Sequence, residues 1–194
     1  MKQKLILIIL LGLLITSQCK KETAKLPEPV SAENNPRLAE TKKILELRKS
    51  SNEKLSGYPS VEIAVSTFLD EVCIKKHNQT NLKSILSQKE RDFILYPNIY
   101  GSGTSLDVTP LEDYDKLIKS LENLAIEKLS NFSFEKAELK NIKIFVKSVK
   151  PYGKANFHKI GLISLKSKGE EIEITEIKSV LEFNGIFKVA ILSP

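Results

Sequence analysis

Two cysteines, two histidines, one methionine and no tryptophan are found in a chain of 194 residues. So few cysteines build neither a disulfide-dense scaffold nor a tetra-cysteine zinc module. No His-x-x-x-His, Cys-x-x-Cys or EF-hand spacing occurs, so no metal site and no cofactor is expected. Gly101-Ser102-Gly103 is too short for a phosphate loop, since no Gly-Lys-Ser/Thr follows it and no strand-helix dinucleotide fingerprint surrounds it. What the chain does have is an ordinary globular mixture, 41% hydrophobic and 28% charged, which excludes a wholly disordered, collagenous or multi-span membrane protein. Its length fits one domain, or one domain with a tether.

The net charge of +6 is distributed unevenly. Lys2 and Lys4 precede the eleven-residue apolar run Leu5–Ile15, and Thr16-Ser17-Gln18 follows. Residues 1–18 therefore read as a secretory signal peptide, too short to span a bilayer as a helix. The run Leu14-Ile15-Thr16-Ser17-Gln18-Cys19 resembles the lipobox of bacterial lipoproteins. Gln18 stands where the commonest pattern has Ala or Gly, in the manner of the relaxed spirochaetal lipobox. The resemblance implies cleavage before Cys19, lipidation of its thiol and amine with palmitate-type chains, and a place in the cell envelope. Several acyl chains, each buried methylene contributing about 0.8 kcal/mol, would make the membrane a stable partner.

Residues 19–59 carry Pro27, Pro29, Pro36 and Pro59 and read as a charged tether, within which Asn35-Pro36 can start a short helix over 36–49. That helix has a partial apolar stripe of Leu38, Ile44, Leu45 and Leu47, and could lie on lipid, dock on the domain or act as spacer. Past Pro59 a single α+β domain, 60–194, is expected. Ser60 caps a helix with Val61, Ala64, Val65, Phe68, Leu69 and Val72 on one face and Cys73 beside it as a core residue. A second short helix is expected around Asn81–Leu86, and Ser87 with Glu90 has capping-box spacing. Thr109-Pro110-Leu111-Glu112 marks the start of a long amphipathic helix whose apolar face is Leu111, Tyr114, Leu117, Ile118, Leu121, Leu124, Ala125 and Leu129.

Beyond Asn131 the periodicity turns to alternation. Ile142, Ile144 and Val146 oppose Lys143 and Lys147, and strands are expected there, from Phe157 to Leu165, from Ile172 to Phe183 with a bulge near Glu176, and from Ile186 to Leu192. Asn184-Gly185 is a hairpin turn. Residues 136–168 hold nine lysines and one glutamate, whereas 170–182 holds five glutamates and one lysine, so neighbouring strands carry opposite charge. The expected fold is α+β: amino-terminal helices and a long amphipathic helix packed on a curved, cone-like four-stranded antiparallel meander. This element order, ending in Val180-Leu181-Glu182-Phe183-Asn184-Gly185-Ile186-Phe187-Lys188-Val189, resembles the nuclear-transport-factor-2-like cone of the cystatin-like group. The resemblance implies a concavity between sheet and helix, used by some members for ligands or catalysis and by others for protein contacts.

Catalytic candidates are few. His158 shares a strand face with Asn156, Ile160, Leu162 and Ser164 and, if that face lines the concavity, could meet a carboxylate such as Asp70 and serve as a base, while His77 reads as a surface residue at a helix end. Tyr96 and Tyr100 flank Pro97-Asn98-Ile99 and read either as a mobile lid over a pocket or as tyrosines packed on the core. The leading expectation is a non-enzymatic envelope lipoprotein that binds a protein or a small apolar ligand. The alternatives are an enzyme using His158, and a structural protein contacting peptidoglycan or anionic lipid. Residues 60–194 hold nineteen basic and eighteen acidic side chains, so no nucleic-acid partner is expected.

Overall fold

A computed structural model describes residues 36–48 and 54–194. The leader, Cys19 and residues 20–35 lie outside the described residues. Helix α1 (Pro36–Arg48) opens with proline in its first turn, where no N–H is needed, and buries Leu38, Thr41 and Leu45. It docks on the domain: the Tyr100 hydroxyl donates to the Leu38 carbonyl at 2.8 Å. Leu55 is also buried, and Tyr58 exchanges two backbone hydrogen bonds with Phe187, at 3.0 and 2.8 Å. The packed unit thus takes in residues that the sequence assigns to the tether, because Pro59 breaks the backbone pattern without ending the packing.

Helix α2 (Val61–Leu69) starts as expected, with the Ser60 side chain accepting from the Ile63 N–H. It widens into a π turn, Asp70–Ile74, that carries Val72 and Cys73 into the core. The Cys73 thiol donates to the Leu129 carbonyl at 3.3 Å. No helix forms at 81–86. Gln79–Asn81 is a single 3-10 turn, after which Ile85 bridges to Val189 and Leu86 donates to the Val189 carbonyl. Two interactions hold this segment extended: the strand edge it joins, and the buried Glu71 carboxylate, which accepts from the Lys83 and Ser84 N–H groups and the Ser84 hydroxyl.

The Ser87–Glu90 capping box forms, opening α3 (Gln88–Glu90). A π turn, Arg91–Leu95, joins it to α4 (Tyr96–Ile99). Pro97 accounts for the widening, since it cannot donate and its ring crowds the carbonyl four residues earlier. Helix α5 (Leu111–Ser130) begins one residue later than the sequence suggests, with Pro110 at the cap and no side chain capping it. The Pro110 carbonyl accepts from Tyr114 at 2.9 Å, starting the helix directly.

Five antiparallel strands follow: β1 (Lys143–Tyr152), β2 (Ala155–Ser167), β3 (Glu170–Ile174), β4 (Ile177–Phe183) and β5 (Ile186–Leu192), in the order β1-β2-β4-β5 with β3 also paired to β2. The single third strand expected over Ile172–Phe183 is therefore two. It breaks at Thr175-Glu176, where the Glu176 carboxylate accepts the Thr175 N–H and pairs with Lys128 of α5. One edge of β2 is thereby shared, Asn156–Lys159 pairing with β4 and Ile163–Ser167 with β3. The β4–β5 turn has Asn184 at φ 52° and Gly185 at φ 74°, as a two-residue hairpin requires. The result is an α+β fold with a curved, open antiparallel sheet.

The core has two parts. Phe68, Leu69, Val72, Ala125, Leu129, Ile163, Ile174, Val180 and Val189 fill one. Leu86, Ile94, Leu95, Tyr96, Leu111, Ile118, Phe157, Leu181 and Ala190 fill the other. Val180 pairs with Val189 and Leu181 with Lys188, so alternation places the two parts on opposite faces of the β4–β5 hairpin.

Candidate functional site

His158 does not meet Asp70. Its Nε2 lies 2.8 Å from Glu182 Oε2, across the β2–β4 pairing, and Asn156 donates to the same carboxylate oxygen at 3.3 Å. Asp70 instead pairs with Lys75, the residue that follows its own π turn. The imidazole rests 5.4 Å from the Phe187 ring. His158, Glu182 and Phe187 share the sheet face of Val180 and Val189, and His158 does not line either of two clefts of about 400 Å³. One, of about 400 Å³, is bounded by Ala137, Glu138, Asn141, Lys143, Ser164 and Glu171. The other, also about 400 Å³ and mostly apolar, lies between Leu55, Phe93, Phe183 and Ile186, with Lys54 and Asn184 at its rim.

The two tyrosines are held in place. Tyr96 is fully buried, its hydroxyl donating to Asp115, and its ring meets Tyr114 edge to face. Burial, followed by the Asp115 carboxylate, pushes the Tyr96 hydroxyl far above its ordinary value. Tyr100 is half-buried and spans to α1.

The densest polar chemistry is a seam inside the protein that the sequence does not advertise. Asp115 accepts from Tyr96, from Arg48 at 2.8 Å and from Gln88 at 3.1 Å. Glu122, one heptad along α5, accepts from Arg91 and from Gln79. Lys188 donates to both oxygens of Glu90. Asp92, bonded by Gln88 and Arg48, is nonetheless held above the usual carboxylate range by burial. Each acid here has a cationic or amide partner, so the seam braces α1, α3, α5 and β5. One signal was available in the sequence: Asp115 and Glu122 flank Ile118 at helical spacing, in line with the buried Ala125 and Leu129. Among the described residues no group of three or more His, Cys, Asp or Glu side chains is placed to hold a metal ion, and no helix is long and apolar enough to cross a membrane.

Apolar side chains also remain outside. Strand β1 is exposed along most of its length and carries Phe145 at 62% and Val149 at 51% exposure. On α5, Leu117 and Leu124 face outward, the helix having turned Asp115 and Glu122 inward in their place.

No family model, no curated protein and no solved structure matches the chain.

Proposed function

We propose that the protein is a cell-envelope lipoprotein, anchored through acyl chains on Cys19, whose α+β unit is a non-enzymatic module for contact with another protein. Anchoring is supported by the basic start, the eleven-residue apolar run and the cysteine directly after Thr16-Ser17-Gln18. The kinship proposed with the nuclear-transport-factor-2-like group rests on the order of helices and meander. Protein contact rests on one observation: two clusters of buried side chains pack between sheet and helices, and apolar groups are left pointing outward, among them Phe145 and Val149 on one strand. A small apolar ligand would have a seat between Phe93 and Phe183, where Lys54 and Asn184 are the polar side chains among the described lining residues. Catalysis by His158 is the weaker reading: Glu182 would orient its imidazole, but His158 does not line either cleft of about 400 Å³.

The test places a photo-crosslinking residue at Phe145, and separately at the exposed Lys119 of α5, in the full chain in cells. A protein adduct of one defined size is expected from Phe145 alone, and it should vanish in Cys19→Ala. Absence of any adduct from Phe145, or turnover in a substrate screen that His158→Ala abolishes, would overturn the reading.

A further inference from the structure

We propose that the outer edge of β1 accepts an extended acidic segment of a partner protein as an additional strand. This rests on the protein-contact reading above and specifies its partner. The outer edges of the sheet, those of β1, β3 and β5, are treated differently. The outer edge of β5 is closed by the bridges from Tyr58 and from Ile85. Strand β1 pairs only with β2 among the described residues, leaving outward backbone donors and acceptors at alternate positions from Lys143 to Lys150, ahead of Pro151, which has no N–H to give.

That open edge has a charge. Lys143, Lys147 and Lys150 are exposed along it, Lys154 follows in the turn, and no acidic residue occurs from 143 to 154. Strands with lysines repel a second copy, because the same row would meet itself. The protein already contains the kind of strand that suits such a row. On the far side of β2, the sequence Glu170-Glu171-Ile172-Glu173-Ile174 pairs so that Lys166 faces Glu171 and Leu165 faces Ile172. An incoming strand of alternating glutamate and β-branched residues would repeat that arrangement on β1.

Apolar contacts are available as well. The Phe145 ring lies across Gly161, where even a Cβ would come within 2.7 Å of it, so glycine makes room for the ring on the sheet surface. Val149 stands opposite His158, beyond the bulge at Val146/Ser148. A strand added outside β1 would cover side chains at both places. Lipid headgroups would meet the lysines but leave the backbone edge unpaired, which is why an acidic polypeptide is the favoured occupant.

The experiment uses the full lipidated chain in neutral detergent and a synthetic peptide alternating glutamate and valine, with a lysine-valine peptide as control. The acidic peptide alone should bind saturably, slow hydrogen exchange within residues 143–150, and weaken as salt rises from about 0.05 M to about 0.5 M. Lys143→Glu with Lys147→Glu should weaken it about tenfold or more, while Lys119→Glu leaves it unchanged and both variants keep the parent unfolding midpoint. No binding, equal binding of both peptides, protection outside β1, or capture of anionic vesicles without peptide binding would overturn the proposal. If the peptide fails while Phe145 still cross-links in cells, the added strand is wrong and protein contact stands. If both fail, the broader reading falls too.

Discussion

Lys188 and Glu90, 98 positions apart in the chain, meet inside the protein, the ammonium donating to both carboxylate oxygens at 2.8 and 2.7 Å. The pair ties the last strand to α3, whose final residue Glu90 also accepts the Ser87 N–H of the capping box.

Removing one member should hurt more than removing both charges. Lys188→Met leaves a buried carboxylate without its cation and is expected to cost about 3–5 kcal/mol. Lys188→Met with Glu90→Gln keeps the cap acceptor and discharges the site, so it should recover a large part of that loss. Urea unfolding followed by circular dichroism measures both, and equal losses in single and double variants would contradict the account.

Helix α5 gives a second contrast. Glu122→Ala strands the buried Arg91 and should cost about 3–5 kcal/mol. Leu124→Gln, on the outward side at 49% exposure, should stay within about 0.5 kcal/mol. A helix turned the other way would reverse the two results.

Glu176 bears on acid stability. Burial alone would raise its carboxyl, but bonds from Lys128, its own N–H and the Thr175 N–H bring it below the ordinary carboxylate value. A group depressed in the folded state stabilises above its unfolded value, and that contribution disappears as pH falls through the folded one. Glu176→Gln should therefore be less stable than the parent at pH 7, with the gap closing as acid is added. Unfolding midpoints across that range check it, and a gap that widens in acid would refute it.

Cys73 should be inert. Burial pushes its thiol up to about 12, and its hydrogen is given to the Leu129 carbonyl. In a Cys19→Ala chain, a thiol reagent at pH 8 should label nothing until denaturant unfolds the protein, and prompt labelling would place the residue elsewhere.

These contrasts show where the sequence could be read and where it could not. Local chemistry was legible: the Ser60 cap, the Ser87–Glu90 box, the Asn184-Gly185 turn and the alternation of Ile144 and Val146 each depend on residues a few positions apart. The inward side of α5 was legible in part: Leu111, Tyr114, Ile118, Ala125 and Leu129 are buried as expected, but Leu117 and Leu124, on a neighbouring stripe of equal regularity, face outward. Asp115 and Glu122 become tolerable inside through Arg48, Tyr96, Gln88, Arg91 and Gln79, partners that periodicity cannot assign. The 81–86 segment misled for the same reason. Its extended form is fixed by Glu71 and by the edge of β5, both distant in sequence. At the candidate site, the strand of His158 was legible and its partner was not, since Glu182 comes opposite Asn156 only once β4 has left the line of β3.

Anchoring at Cys19 underlies the whole functional account, and the intact mass of the protein extracted from cell membranes tests it most directly. The account predicts a chain beginning at Cys19 that carries a diacylglycerol thioether and an acylated amine, with Cys19→Ala giving an unlipidated chain. An unmodified chain, or one cut elsewhere than before Cys19, would contradict it.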